Sequence, residues 1–594
     1  MKTKYIIAIL ISVGIFNSCS GLFINRHITE QTQSLRAYPI HSTKYGAYLA
    51  ARVAHIRQNY NLAADYYVKA IKEGADDADL LNRIYLLLTT QGRIDEAAEY
   101  AKKAIKEDDN SNFIHFVIMA NEAKNKNYDK AIKSIDNIKD EMYQKSIGPL
   151  FKAWLYAAKN EKQKALEQLE VFKKDEALLS FYYMHRGMIH DYFNDTKSAQ
   201  TDFEAIILDD DLEISFRSLQ IITNFYLRNN QPQKAQNLIK TFAGYNTNTK
   251  VLSTLLENIQ KIEKNRTLPL IDTPEKGLGE AIFNIAVIFR DFQTDIAQIF
   301  TALALYLNPE NDVALISSAD LSESNNRFTE AIKQYNKLSI SSPLHYMAHL
   351  KISTILMNNQ QFDESVQILK NMLKTYPDDY NILFNLGEIN RMTDNNKDAI
   401  TYYNKALDVA PKSTAADWTV YYALGMAYER NNQWNEAENV LKKALSISNR
   451  HPFILNYLGY VWLENNQNYN EALYMIFEAY QQNPENGHIM DSMGWALYRM
   501  GKFDDALNVL EKAAEYLPAN AVVCDHLGDV YWQVGRKNEA KYQWQHALTL
   551  KEDTELLNKE LIKEKLKNGA PQPISIIYNE SLLVERLKML SSSE

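Results

Sequence analysis

Residues 487–520 contain the pattern that decides the fold: GHIMDSMGWALYRMGKFDDALNVLEKAAEYLPAN. Gly494 lies in a predicted first helix that ends at Gly501, and Ala506 lies in a second helix that ends before Pro518. Small residues let two helices approach closely, and proline stops the second helix because it cannot continue a helical hydrogen-bond ladder. The stretch therefore predicts a hairpin of two antiparallel helices.

The same hairpin pattern recurs along the chain with a period of 34 residues. Its marker is a small residue early in the second helix, found at Ala63, Ala97, Ala131, Ala165, Ala199, Ala235, Ala297, Ala331, Ser365, Ala399, Ala437, Ala472, Ala506 and Ala540. One hairpin cannot bury its apolar face alone, so repeated hairpins stack into a solenoid.

The composition agrees with an all-helical chain. The 594 residues include 19 Gly and 14 Pro, about half of the usual combined share of roughly 12%. This scarcity of turn formers argues against sandwiches, barrels and propellers built from short strands, and it excludes collagen. The net charge of −9 offers no basic field for phosphates, so we expect no nucleic-acid partner.

The repeats resemble the tetratricopeptide repeat (TPR) family. The motifs that carry the resemblance are Leu386-Gly387, Leu424-Gly425-x-x-Tyr428, Leu458-Gly459 and Leu527-Gly528-x-x-Tyr531. The resemblance implies an all-α TPR solenoid, a right-handed superhelix of about fourteen units. The last units, with Asn456 to Tyr460 and Asp491 to Trp495, are similar to exported and lipoprotein TPR-array proteins of Gram-negative bacteria.

One break interrupts the register, because Ala235 and Ala297 are 62 residues apart. Residues 250–263 have apolar side chains at helical spacing, and Pro269 and Pro274 indicate a linker after them. We therefore predict two TPR arrays, residues 44–242 and 278–554, separated by a helix plus linker at 243–277. The alternative is one continuous superhelix with a degenerate unit. Residues 555–594 are predicted as a capping helix and tail.

The N-terminus has the order of an export signal, with Lys2 and Lys4, an apolar run and then small residues. The run is too short to span a membrane. Cys19 after Ser18 resembles the lipobox of bacterial lipoproteins, which implies a signal peptide at 1–19, lipidation of Cys19 and a tether at 20–43. The alternative is plain cleavage after Ser20. We expect an exported protein, lipid-anchored to the outer membrane and facing the periplasm, or else soluble in the periplasm.

The TPR resemblance also implies a partner-binding groove lined by positions 2, 5, 9 and 12 of each first helix. Position 5 gives Tyr422, Asn456, Asp491 and Asp525; position 9 gives Tyr460, Trp495 and Asp529; position 12 gives Tyr498 and Trp532. Aromatic anchors beside polar groups are typical of recognition surfaces. The alternative is that these aromatic rings only pack neighbouring helices.

Signs of enzyme chemistry are scarce. The chain lacks H-E-x-x-H, G-x-x-x-x-G-K-[ST] and G-x-S-x-G, and the repeats leave no stretch for a catalytic domain. We therefore predict a non-catalytic scaffold that binds proteins or extended peptides in the envelope, with no cofactor and no metal. A spacer is one alternative. A hydrolase using Asp491, Asp525, His526 and Asp529 is another. Cys524 is predicted to be a buried core thiol.

Overall fold

The structure is a computed structural model that describes residues 43–573, together with residues 576, 578–581, 583 and 585. Gaps in the described range are 76–77, 108–110, 142, 210–211, 213, 246–248, 263–267, 411–417 and 551–556. The predicted signal peptide, Cys19 and all but the last residue of the predicted tether lie outside the described residues. Within the described residues the chain forms 30 α-helices and no β-strand.

The chain divides into two compact units on either side of the bond between Asn359 and Gln360. The helices of unit one are α1 (Lys44–Ile56), α2 (Tyr60–Lys72), α3 (Ala78–Thr90), α4 (Ile94–Glu107), α5 (Asn112–Lys124), α6 (Tyr128–Asp136), α7 (Gly148–Ala158), α8 (Lys162–Leu169), α9 (Leu179–Tyr192), α10 (Thr196–Ile207), α11 (Phe216–Arg228), α12 (Pro232–Tyr245), α13 (Thr249–Ile262), α14 (Pro274–Phe289), α15 (Thr294–Leu307), α16 (Asp312–Ser324), α17 (Phe328–Tyr335) and α18 (His345–Asn358).

The helices of unit two are α19 (Phe362–Thr375), α20 (Tyr380–Met392), α21 (Asn396–Val409), α22 (Trp418–Arg430), α23 (Trp434–Ile447), α24 (Pro452–Glu464), α25 (Tyr469–Gln482), α26 (Gly487–Arg499), α27 (Phe503–Tyr516), α28 (Ala521–Gln533), α29 (Lys537–Thr549) and α30 (Lys559–Asn568). The last of these, α30, lies within the residues 555–594 predicted as a capping helix and tail, and it ends at Asn568 with Gly569 as its C-cap.

The predicted all-α array of helical hairpins is confirmed. All fourteen marker residues, thirteen alanines and Ser365, have no exposed surface. Most turns between the two helices of a hairpin contain a residue with positive φ. Four of these residues are Gln58, Lys126, Gln360 and Asp394, and the others are glycine, as at Gly501 (75°), or asparagine, as at Asn326 (57°) and Asn432 (59°). Both residue types tolerate this conformation at low cost. Asparagine at many of these turns explains why so helical a chain needs so few glycines.

Glycines of the first helices serve close packing instead. A Cβ added at Gly425 would lie 2.5 Å from Leu441 Cγ, and one added at Gly528 would lie 2.6 Å from Trp544 Cδ1. Both distances are far below van der Waals contact. Glycine at this repeat position therefore lets the first helix approach a large side chain of the second helix.

In unit one, the hairpin α14–α15 packs against the first helices of four successive hairpins, α3, α5, α7 and α9. Phe300 of α15 lies 5.3 Å from Phe116 of α5, measured between ring centroids. Tyr128 donates a hydrogen bond to Glu275 at 2.6 Å, and Tyr306 donates one to Asp95. The chain's own hairpin thus covers the first-helix face of this array.

The segment predicted as helix plus linker, residues 243–277, lies inside unit one. Its helix is present as α13. The following helix, however, begins at Pro274, three residues before the end of the predicted linker. Thr273 caps it by accepting a hydrogen bond from the backbone N–H of Lys276 at 3.3 Å. Proline is favoured in a first helical turn because its missing N–H is not needed there, so Pro274 starts a helix instead of a linker.

Candidate functional site

The residues predicted to line a groove lie on four first helices of unit two, α22, α24, α26 and α28. Contacts between α24 and α26 and between α26 and α28 place these helices side by side. The structure brings the predicted residues into two clusters of different character. One is aromatic and lies on α22 and α24, and the other is charged and joins α26, α28 and α30.

The aromatic patch consists of Trp418, Tyr422, His451, Phe453 and Tyr457, all partly exposed. Trp418 stacks on His451 with ring centroids 4.3 Å apart, and Tyr422 meets Tyr457 edge to face at 5.6 Å. The ring of His451 also lies 5.1 Å from that of Phe453. These contacts hold the rings in fixed positions while leaving part of each ring accessible.

Polar groups border the aromatic patch. Tyr457 donates a hydrogen bond to Glu429 at 3.2 Å, and burial together with the Glu429 carboxylate holds its pKa well above the ordinary value. Asn456 lies beside it on α24, and its Oδ1 has no hydrogen-bond donor among the described residues. An unpaired acceptor of this kind carries a free-energy cost of about 1–3 kcal/mol.

The charged cluster consists of Asp491, Asp525, His526, Asp529 and Lys565. His526 Nδ1 lies 2.9 Å from Asp491 Oδ1. Burial on its own lowers the pKa of His526, but the carboxylates of Asp491, Asp525 and Asp529 outweigh it and raise the pKa above the ordinary value. The raised pKa favours the imidazolium form of His526, in which Nδ1 donates to Asp491.

Trp495 covers this imidazolium. The two rings are stacked with centroids 4.1 Å apart and an interplanar angle of 16°, a favourable arrangement of a cation on an indole. Trp495 also donates from Nε1 to Glu464 Oε1 at 2.7 Å. Its ring is thus fixed on one side by His526 and at its edge by Glu464.

Lys565 of α30 inserts its ammonium group between two carboxylates. Its Nζ lies 2.9 Å from Asp525 Oδ1 and 2.8 Å from Asp529 Oδ2. Asp529 Oδ1 accepts a further hydrogen bond from Trp544 Nε1 at 3.1 Å. Burial raises the pKa of Asp529 to about 6, against the opposing effect of Lys565. Because one ammonium binds both carboxylates, the cluster is an ion-pair network that fastens α30 to α28.

Six of the predicted groove residues are partly exposed: Tyr422, Asn456, Tyr460, Trp495, Asp525 and Trp532. The other three are buried, with 8% exposure for Asp491, 2% for Tyr498 and 4% for Asp529. Burial of Tyr460 and the nearby carboxylates of Glu464 and Asp491 hold its pKa well above the ordinary value. The partner-binding role of the partly exposed residues stays a prediction.

Asp529 lies on the first helix α28 and points toward the second helix of the same hairpin, α29. It does so because of a polar contact between first and second helix that recurs in other hairpins. Tyr335 donates to Asp320 at 2.5 Å, as Trp544 donates to Asp529, and in each pair the donor follows the acid by fifteen residues. This spacing is a sequence signal that would have assigned Asp529 to the hairpin interior. Sequence reasoning also missed Trp418, His451 and Lys565.

Cys524 is buried as predicted, with 2% exposure, and burial raises its pKa to about 11. Among the described residues, no group of three or more His, Cys, Asp and Glu side chains is arranged to hold a metal ion. Within the same part of the chain, no helix is long and apolar enough to cross a membrane.

Comparison with known families now assigns the repeat. Three tetratricopeptide-repeat families match, at residues 48–112, 378–450 and 487–516. The chain is a tetratricopeptide-repeat protein. A TPR repeat-containing protein of Pseudomonas aeruginosa is 27% identical to this TPR protein over 195 residues, which are 33% of the present chain and 32% of the relative. The chain thus matches about a third of the length of this curated relative.

Several solved TPR structures are also similar. A tetratricopeptide repeat protein from Parabacteroides merdae has a TM-score of 0.35 and 19% identity, covering 43% of the present chain and 97% of its own. Yeast Tom70 has a TM-score of 0.32 and 13% identity, covering 92% and 99%. The repeats support a protein–protein interaction scaffold as the function, and TPR proteins are generally non-catalytic.

Proposed function

We propose that this TPR protein is a scaffold of the bacterial cell envelope that binds a partner protein or extended peptide on the aromatic patch of unit two. The observation that carries the proposal is the row of fixed, partly exposed rings formed by Trp418, Tyr422 and Tyr457. Rigid aromatic anchors bury large apolar area on binding while losing little conformational freedom.

The aromatic patch is favoured as the binding position because other parts of the first-helix face are covered by the chain itself. In unit one, α14 and α15 cover the corresponding face. In unit two, Lys565 of α30 covers Asp525 and Asp529. The aromatic patch lies on α22 and α24, two hairpins before the helix that Lys565 contacts.

The bordering groups suggest the chemistry of the partner. Asn456, beside Tyr457 on α24, is partly exposed and carries an amide group of the kind that pairs with a peptide backbone. Glu429, beside Tyr457, favours a basic or amide side chain. The proposed partner segment is therefore extended, with an apolar side chain seated among the rings and a lysine, arginine or amide group next to it.

Affinity purification of the mature protein from envelope extract tests the scaffold. We compare wild type with the double variant Trp418→Ala, Tyr422→Ala, and with Tyr542→Ala as a matched control, because Tyr542 is 65% exposed on the second helix α29. We expect wild type and control to retain the same partner and the double variant to lose it, with unchanged circular dichroism. Equal retention by all three forms would refute the proposed site. Absence of any specific partner would favour a spacer.

The envelope location is proposed from the N-terminal sequence, in which Cys19 follows an apolar run and Ser18. We propose that Cys19 carries lipid and anchors the protein to the outer membrane. Metabolic labelling with a fatty acid, followed by membrane fractionation, compares wild type with Cys19→Ala. We expect label and membrane association in wild type only. An unlabelled protein released to the periplasm would support plain signal cleavage.

A further inference from the structure

The segment that follows α30 turns back across hairpins that precede it in sequence. Gly569, with φ of 87°, lies directly against the indole of Trp532, leaving no room for a side chain. Gln533 then donates to the carbonyl of Pro571 at 3.1 Å, and Gln572 donates to Gln533 at 3.1 Å. The segment therefore leaves α30 along the C-terminal end of α28.

The same segment reaches two earlier hairpins. Lys502, just before α27, lies 3.1 Å from Glu580, and Asn470, at the start of α25, accepts a hydrogen bond from the backbone N–H of Asn579 at 2.7 Å. The contacted residues 470, 502 and 533 belong to three consecutive hairpins and lie close to the turn between first and second helix in each. We call this row of contacts the turn track.

Two buried apolar side chains hold the segment against the core of unit two. Ile576 and Leu583 are exposed by only 7% and 5%, and both belong to the apolar core of unit two. The hydrogen bonds of the segment, in contrast, involve exposed groups. Segments held by a few buried side chains and exposed hydrogen bonds open at low free-energy cost compared with the core.

We propose that the turn track is a peptide-binding surface that the C-terminal segment occupies in cis through its described residues 569–573, 576, 578–581, 583 and 585. The partner it fits is an extended peptide of the same chemistry: glycine against Trp532, apolar side chains seven residues apart, and a carboxylate opposite Lys502. Such a partner binds when the segment opens. The inference rests on the proposed function, because it assumes that unit two binds peptides, but it concerns a different surface from the aromatic patch.

A synthetic peptide of residues 569–594 is the probe. We measure its binding by fluorescence anisotropy to the full chain and to a chain ending at Asn568, with circular dichroism as the check on folding. We expect the shortened chain to bind the peptide at least about tenfold more tightly, because the cis segment competes at an effective concentration near the millimolar range. Equal binding to both chains, or no binding to a folded shortened chain, would overturn the proposal.

A charge exchange tests the register of the bound peptide. Lys502→Glu in the shortened chain should weaken binding, and Glu580→Lys in the peptide should restore it, whereas non-specific adsorption would show no rescue. Failure of the rescue would refute the register. Should the shortened chain not fold, the full chain carrying Ile576→Asp and Leu583→Asp replaces it, with the same expectations.

One further variant distinguishes binding at the turn track from binding at the aromatic patch. Made in the shortened chain, the double variant Trp418→Ala, Tyr422→Ala should bind the peptide of residues 569–594 as tightly as the shortened chain without these substitutions, since they lie outside the turn track. Loss of partner capture with intact peptide binding supports both sites. Partner capture without peptide binding leaves the aromatic patch supported and overturns the turn track.

Discussion

Gly528 offers a sharp test of how the hairpins pack. Alanine is a better helix former than glycine by about 1 kcal/mol, so helix propensity alone predicts that Gly528→Ala stabilises α28. The structure predicts the opposite. The new Cβ would lie 2.6 Å from Trp544 Cδ1, which is closer than non-bonded Cβ contacts in proteins, and 3.0 Å from Trp544 Cε2, which is tighter than most of them.

The indole of Trp544 has no free direction in which to move. It is completely buried, donates to Asp529 at 3.1 Å and lies against Trp532 at 5.7 Å. Overpacking of a core costs about 1–3 kcal/mol, and loss of a buried hydrogen bond to a carboxylate adds about 1.5–3 kcal/mol. After subtracting the gain in propensity, we expect Gly528→Ala to lower the free energy of unfolding by about 3 kcal/mol.

Gly501 provides the matched control. It has a φ of 75° and no atom within 4 Å of an added Cβ, so Gly501→Ala should cost only the left-handed backbone conformation, about 1–2 kcal/mol. Gly501→Asn should cost less still, because Asn326 and Asn432 adopt this conformation elsewhere in the chain. Urea unfolding followed by circular dichroism, with hydrogen exchange of α28 and α29, measures the order. A Gly528→Ala protein as stable as wild type would refute the close-packing argument.

Three further results are expected. Because the pKa of His526 is raised in the folded state, the stability that protonated His526 contributes is fully present below pH 6.5 and is lost as the pH rises through the folded-state pKa. Urea unfolding should therefore show the advantage of wild type over His526→Gln shrinking as the pH rises above 6.5. Arg217→Ala should lower the free energy of unfolding by about 3–5 kcal/mol, because Glu280, bound at 2.5 Å, then stays buried without a cation, with only the amides of Asn308 and Asn311 donating to it. Adding Glu280→Gln should restore part of that free energy, as measured by thermal unfolding. Cys524, buried and with its pKa raised to about 11, should react with a thiol reagent only as unit two unfolds, so rapid labelling of the native protein would contradict its core position.

The fold was largely predictable because its signal is local and repeated. Each marker residue is small because it lies where the two helices of one hairpin meet. Ala506 is as fully buried as Ala63, although the two residues lie in hairpins that are far apart in the sequence. The capping helix was predicted from a Lys/Glu-rich stretch after the last repeat, and α30 spans Lys559–Asn568 in that region. Cys524 was assigned to the core from its repeat position alone.

The candidate site was less predictable because repeat position does not fix which way a side chain points. Asp529 and Trp495 occupy the same position of neighbouring repeats. Asp529 is buried against Trp544, whereas Trp495 is partly exposed on His526. The identity of the residue fifteen positions later, a hydrogen-bond donor in one repeat and not in the other, decides the difference.

The sequence by itself determined the helices, their pairing and the buried faces, since these follow from spacing within 34 residues. Only the tertiary structure decided which surfaces remain accessible. The hairpin α14–α15, held in part by the hydrogen bond from Tyr128 to Glu275, covers the first-helix face of unit one. The ion pair between Lys565 and Asp525 holds α30 against α28. Such contacts join residues about 40 to 150 positions apart and have no period, because they depend on how complete hairpins fit against each other.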